Sequence, residues 1–138
     1  MYSASHHYKA QKEFFIKAYD DWYIISSEYG IIHHSQIIKP YDRIVVNRQY
    51  MSKGDRKFGW EPKTISLIKE QLQWMKKKGY KVDFHTTKAY YDILSKEEKN
   101  YVKYIKQPHG MNLVPSRYGK AITMLDENLP LTECLEFI

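Results

Sequence analysis

The chain has 138 residues, 16.6 kDa, 43% apolar and 28% charged residues, a net charge of +6 and a mean hydropathy of -0.65. That is enough apolar material for one core and too little chain for two ordinary domains, so disorder is excluded and a single α/β domain over 1–138 is the expectation, with an acidic tail from about 126. No run approaches the roughly 18 apolar residues of a membrane helix, and the first residues carry His, Lys and Glu in place of a signal-peptide core; a cytoplasmic protein with no membrane partner is expected.

In chain order, Ala4, Tyr8, Gln11, Phe15 and Ala18 recur at helical spacing behind Ser3, a potential N-cap, and predict a helix from Ala4 to Tyr19. Trp22 to Ile25 is a short apolar run rich in β-formers, which suits a strand buried on both faces of a parallel sheet. Gly30 to Gly59 is broken by glycine, Pro40, paired His and mixed charge; it reads as a long loop with only Ile44 to Val46 strand-like. Pro62 then opens a helix with Ile65, Ile68, Leu72 and Met75 on one face and Gly79 as its stop.

Tyr80, Val82 and Phe84 alternate with polar residues as in a strand, and Thr86 or Thr87 can cap a helix containing Tyr90, Tyr91, Ile93 and Leu94. Ser95 to Glu98 has capping-box spacing, Val102 to Ile105 is a short strand candidate, and Ser116 can cap a last helix to about Leu125. This alternation predicts a small three-layer domain: a mostly parallel sheet of about four strands flanked by helices. Ligands of such folds bind beyond the strand carboxyl ends, near Ser26, His85 and Gln107.

The charge is local. From Arg43 to Lys81 there are 11 Lys/Arg against 3 Asp/Glu, while the rest of the chain carries 11 against 13. Lys76, Lys77 and Lys78 have an ordinary explanation as the solvated last turn of a helix, where cations suit the dipole. Arg43, Arg48, Lys53, Arg56 and Lys57 lie in the expected loop, interleaved with Tyr41, Tyr50, Phe58 and Trp60. Cations among aromatic faces are what nucleic acid needs for phosphate neutralisation and base stacking, and are equally the anchors of a protein interface. Trp22, Trp74 and Tyr80 read as core.

Ser26, Ser27, Glu28, Tyr29 and Gly30 leave the first strand with two hydroxyls, a carboxylate and a phenol, a set able to bind a sugar or phosphate. The same residues suit a plain strand end. Pro40, Tyr41 and Asp42 place a phenol and an acid after a rigid residue; Asp42 or Glu28 suits a general base, and Asp42 equally suits an Asx turn. Cys134 is the one cysteine, so no intramolecular disulfide forms. His6-His7 and His33-His34 are adjacent pairs expected to point apart, so no metal site is predicted and His85 is the better single histidine for proton transfer or ligand contact. No glycine-rich phosphate loop is present in the sequence, and no cofactor is expected.

Ile24 to Ile32 (IISSEYGII) followed by Ile38 to Asp42 (IKPYD) resembles the paired "ILSAKYGLL … PYD" signature of an uncharacterised bacterial and phage domain family, over roughly residues 1–46. The resemblance implies a Rossmann-like fold and nucleotide or nucleic-acid chemistry. Family members commonly begin with a further strand ending in a Cys-Ser-x-x-Lys-like motif, which this sequence starts after, and the Lys of AKYG is Glu28 here. These departures imply a non-catalytic member, with an open strand edge that a second copy would cover. Two functions stay open: a phage-type protein that binds a nucleotide, nucleic acid or host protein without turnover, or a small nucleotide-processing enzyme using the Ser26 to Gly30 and Pro40 to Asp42 pocket.

Overall fold

The computed structural model describes residues 6–36, 43–44, 51–53, 56–108 and 113–138. The chain divides into two compact units, one from its ends (Met1–Trp22 with Ile105–Ile138) and one from its middle (Tyr23–Tyr104).

The unit formed by the ends is helical. Helix α1 (His6–Ala18) packs on α5 (Leu113–Asp126), and α6 (Leu131–Phe137) closes against α5. Phe14, Tyr118, Ala121 and Cys134 are fully buried there, with the Phe14 and Tyr118 rings edge to face at 5.5 Å. Burial pushes the Tyr118 phenol up to about 12, and its hydroxyl donates to Gln107 Oε1 at 3.0 Å, so the buried polar atom is satisfied. The expected acidic tail is not a tail. Asn128, at φ 63, ends α5 in a left-handed stop, Pro130 follows, and α6 buries Cys134 and Leu135.

The middle unit is built around α2 (Pro62–Lys77). Its Ile65, Ile68, Leu72 and Met75 stripe is buried as the spacing predicts, in a core with Trp60, Phe84, Ile93, Leu94 and Val102. Short helices α3 (Lys88–Tyr91) and α4 (Lys96–Tyr101) follow, the latter capped by Ser95 Oγ, which accepts from Glu98 N at 3.5 Å.

The predicted three-layer domain with a four-stranded, mostly parallel sheet is not what forms, and neither is a Rossmann-like arrangement. Among the described residues there are three small sheets: an antiparallel pair β1 (Tyr23–Ser26) and β2 (Gly30–His33), a mixed sheet β3 (Arg43–Ile44), β5 (Arg56–Phe58) and β4 (Met51–Lys53), and a parallel pair β6 (Asp83–Phe84) and β7 (Lys103–Tyr104). The physical reason lies at residues 26–30. Ser26 Oγ accepts from the backbone N–H groups of Glu28 and Tyr29 at 3.1 and 3.0 Å, and Gly30 takes φ 78, so the chain reverses and pairs Ser26 with Gly30. The apolar run that suited a central parallel strand is therefore one arm of a hairpin. The stretch read as a loop from Gly30 to Gly59 holds β2, β3, β4 and β5.

Gln71 ties this hairpin to α2. Its Oε1 accepts from Ile31 N at 2.8 Å and its Nε2 donates to Ile31 O at 2.8 Å, so one side-chain amide completes both outward-facing backbone groups of that residue. Gln36 Oε1 takes the N–H of His33 at 3.0 Å, two residues along the same edge. A Cβ on Gly30 would stand 2.9 Å from both Gln71 Oε1 and Leu67 Cδ2, so glycine is required there by approach as well as by φ. Replacing Gln71 by Met, similar in length but without the amide, is expected to cost ~1–3 kcal/mol because two backbone groups lose their partner. Urea unfolding reads it; an unchanged midpoint would contradict the double hydrogen bond.

Candidate nucleic-acid interface

Helix α2 stops by a rule the sequence carries. Gly79 sits at φ 80, its N–H bonds to Lys76 O at 3.1 Å, and the N–H of Tyr80 bonds to Met75 O at 3.0 Å. This is the Schellman pattern, in which the residue after the left-handed glycine turns back onto the last helical turns. Tyr80 consequently meets Trp74: the two rings are perpendicular (89°) with centroids 5.7 Å apart. Tyr80 is pinned from a second side, because the Tyr101 hydroxyl of α4 donates to its carbonyl oxygen.

The pair faces solvent. Trp74 is 49% exposed and Tyr80 42%, against the expectation that both are core. The reason is angular. Met75 belongs to the buried stripe, and its neighbour Trp74 is turned about 100° away from it on a helix. Trp22, in contrast, is buried as expected.

Four lysines flank these rings in the chain. Lys76, Lys77, Lys78 and Lys81 are all exposed. The Lys78 ammonium lies 5.8 Å from the centre of the Trp74 ring and the Lys76 ammonium 6.0 Å from that of Tyr101. The acids near them are Glu97, whose Oε1 is 3.9 Å from Lys76 Nζ, and Glu70, exposed one turn before Trp74. The arrangement offers flat apolar faces beside exposed positive charge.

The other predicted site residues are distributed as follows. Ser26 and Ser27 are buried, 0% and 1% exposed, and the Ser26 hydroxyl accepts two hydrogen bonds within its own turn; Glu28 and Tyr29 are half-buried in that turn, and Gly30 is closed over by Leu67 and Gln71. Tyr41, Asp42 and Arg48 lie outside the described residues. In the mixed sheet, Arg43 pairs opposite Lys57 and Lys53 opposite Arg56, so the backbone gathers four basic positions from three strands. His33 and His34 do not diverge as expected for neighbours on a strand. Their rings are 4.1 Å apart, because β2 ends at His33 and His34 has left the pleat.

His85 directly follows β6, at the strand end where the sequence places it. Desolvation lowers its pKa to about 3, so the imidazole is neutral at physiological pH.

The residues that the sequence reading missed as candidates are Trp74 and Tyr80. The signal was available: Trp74 is off the 65-68-72-75 stripe, and a glycine stop followed by an aromatic residue predicts a contact back onto the last turn.

Among the described residues, no helix is long and apolar enough to cross a membrane. The model of a family of unknown function, DUF6884, matches residues 1–126. Neither the curated proteins nor the solved structures contain a match.

Gly79→Ala meets no steric obstacle, since nothing lies within 4 Å of the added Cβ; its cost is conformational and is expected to be about 1 kcal/mol. A thermal melt reads this, and a variant as stable as the parent would contradict the left-handed stop. His85 gives a pH signature. Its unfolded pKa is near 6.5 and its folded pKa about 3, so the unfolded chain binds more protons between those values and stability falls as pH is lowered through that window. The stability of the parent relative to His85→Asn should fall from pH 6.5 toward 3; a constant difference in urea midpoints would show that His85 is not desolvated.

Proposed function

The chain belongs to the DUF6884 family, and we propose that it is a nucleic-acid-binding protein whose middle unit neutralises backbone phosphates. The observation carrying this reading is the cluster of exposed Lys76, Lys77, Lys78 and Lys81 at the end of α2. Four cations within six residues make a local positive potential that a polyanion reads, and release of its condensed counterions drives binding. The helix dipole alone asks for cations in the last turn, and Lys76 and Lys77 meet that request. Lys78 caps the helix and is served by the same dipole, whereas Lys81 lies beyond the helix and its Gly79 stop, so the dipole does not account for it. The basic register positions Arg43, Lys53, Arg56 and Lys57 of the mixed sheet extend the positive character of the same unit.

Binding without turnover is the simpler form of this function. The hydroxyl of Ser26, the residue that opens the serine-rich turn, is engaged in folding that turn. The role is therefore to hold nucleic acid, and a phage context, as the sequence resemblance implies, is compatible with a small basic protein of this kind.

The test is the salt dependence of DNA affinity. The logarithm of the binding constant should fall linearly with the logarithm of salt concentration, and each lysine removed among Lys77, Lys78 and Lys81 should lower the slope by about 0.7–0.9. Fluorescence anisotropy with a labelled oligonucleotide measures it. A slope that stays the same when all three are changed to Ala would remove these lysines from the interface, and no measurable binding at low salt would end the reading.

A further inference from the structure

We infer that Trp74 and Tyr80 form a stacking site for unpaired nucleobases, so that the protein prefers single-stranded nucleic acid over duplex; this rests on the nucleic-acid reading above and names its substrate class. Phosphate neutralisation is indifferent to strandedness. Stacking on an aromatic side chain is not, because a duplex keeps the faces of its bases covered by one another and a single strand offers them.

Three features set this aromatic pair apart from an incidental surface contact. First, an indole at 49% exposure and a phenol at 42% lie together on one surface, where the chain has an alternative way of burying aromatic rings, as Trp60 at 1% shows. Second, the pair is held in position before any ligand arrives. The glycine stop fixes Tyr80 against the last turn of α2, the Tyr101 hydroxyl holds the Tyr80 carbonyl, and the rings meet edge to face at 5.7 Å. A preorganised platform loses little conformational entropy on binding. Third, the charges are matched to a strand threading past the rings. Lys78 Nζ stands 5.8 Å from the centre of the Trp74 ring, in a cation–π contact of the kind that a base can replace. When a base takes the ring face, the ammonium on its flexible stem is free to move to the adjacent phosphate. Lys76 is engaged by Glu97 and by the Tyr101 ring, whereas Lys77 and Lys81 are exposed, within three residues of Trp74 and one of Tyr80 respectively along the chain.

A protein partner would also use an aromatic pair, but the rings lie among lysines, with Glu70 and Glu97 as the acids nearby. A polyanion with exposed flat faces fits both properties. Single-stranded nucleic acid has both, whereas an acidic peptide has the charge alone.

The experiment uses the full chain with an oligothymidine of roughly 16 nucleotides, a duplex of equal length and heparin as a base-free polyanion. Trp22 and Trp60 are buried, so Trp74 is the indole open to a ligand, and its fluorescence should be quenched by oligothymidine and not by heparin. Oligothymidine should bind more tightly than the duplex. Trp74→Ala should weaken oligothymidine binding by roughly 5- to 100-fold, with heparin and duplex affinity unchanged, and Trp74→Phe should retain most of the single-strand affinity. Equal affinity for single strand and duplex, or an equal loss for all three ligands in Trp74→Ala, would overturn the stacking site while leaving the electrostatic reading standing. Absence of binding to every polyanion would overturn both.

Discussion

One helix and its period constrain most of the middle unit. With Ile65, Ile68, Leu72 and Met75 committed to the core, every other position of α2 has its direction assigned. Gln71 is left to reach the hairpin, where it serves Ile31 at both N–H and carbonyl, and Trp74 is left to solvent. Moving the stripe by one residue would bury Trp74 and withdraw the amide from β2. The hairpin clamp and the aromatic surface are thus two consequences of a single buried face.

The end of the same helix converts a folding signal into a surface. A left-handed glycine is a common way to terminate a helix, and its usual companion is an apolar contact between the residue that follows and the last turn. Here that contact is made by a phenol and an indole outside the core, with Lys76, Lys77 and Lys78 in the surrounding turn. Exposed aromatic area contributes little to stability compared with buried area. Its presence beside concentrated positive charge is better accounted for by a ligand than by folding.

Much of α2 was legible in the sequence: its Pro62 start, its stripe and its Gly79 stop are local features with direct physical causes. So was the Ser95 cap of α4, which needs only a hydroxyl three residues from the N–H it accepts. The sheet was not legible. A four-residue strand such as Tyr23–Ser26 has the same apolar look in a central parallel strand and in a hairpin arm, and the decision rests on what Ser26 Oγ and Gly30 do next. Strands of two residues, such as β6 and β7, carry no period at all. Helix α6 was hidden because its four flanking and internal acids, Asp126, Glu127, Glu133 and Glu136, drew attention to charge when Cys134 and Leu135 were the informative positions. At the candidate interface the lysines are visible in the sequence as charge, while residue type alone puts Trp74 in the core and only its angle from the buried stripe of α2 puts it at the surface.

In the proposed function, the α2 stop is where nucleic acid touches this protein. The most direct measurement is photocrosslinking of the full chain to oligothymidine followed by mass spectrometry of the crosslinked peptides. Adducts are expected in the segment containing Trp74 and Tyr80. Adducts confined to peptides of the helical unit, α1, α5 and α6, would contradict it.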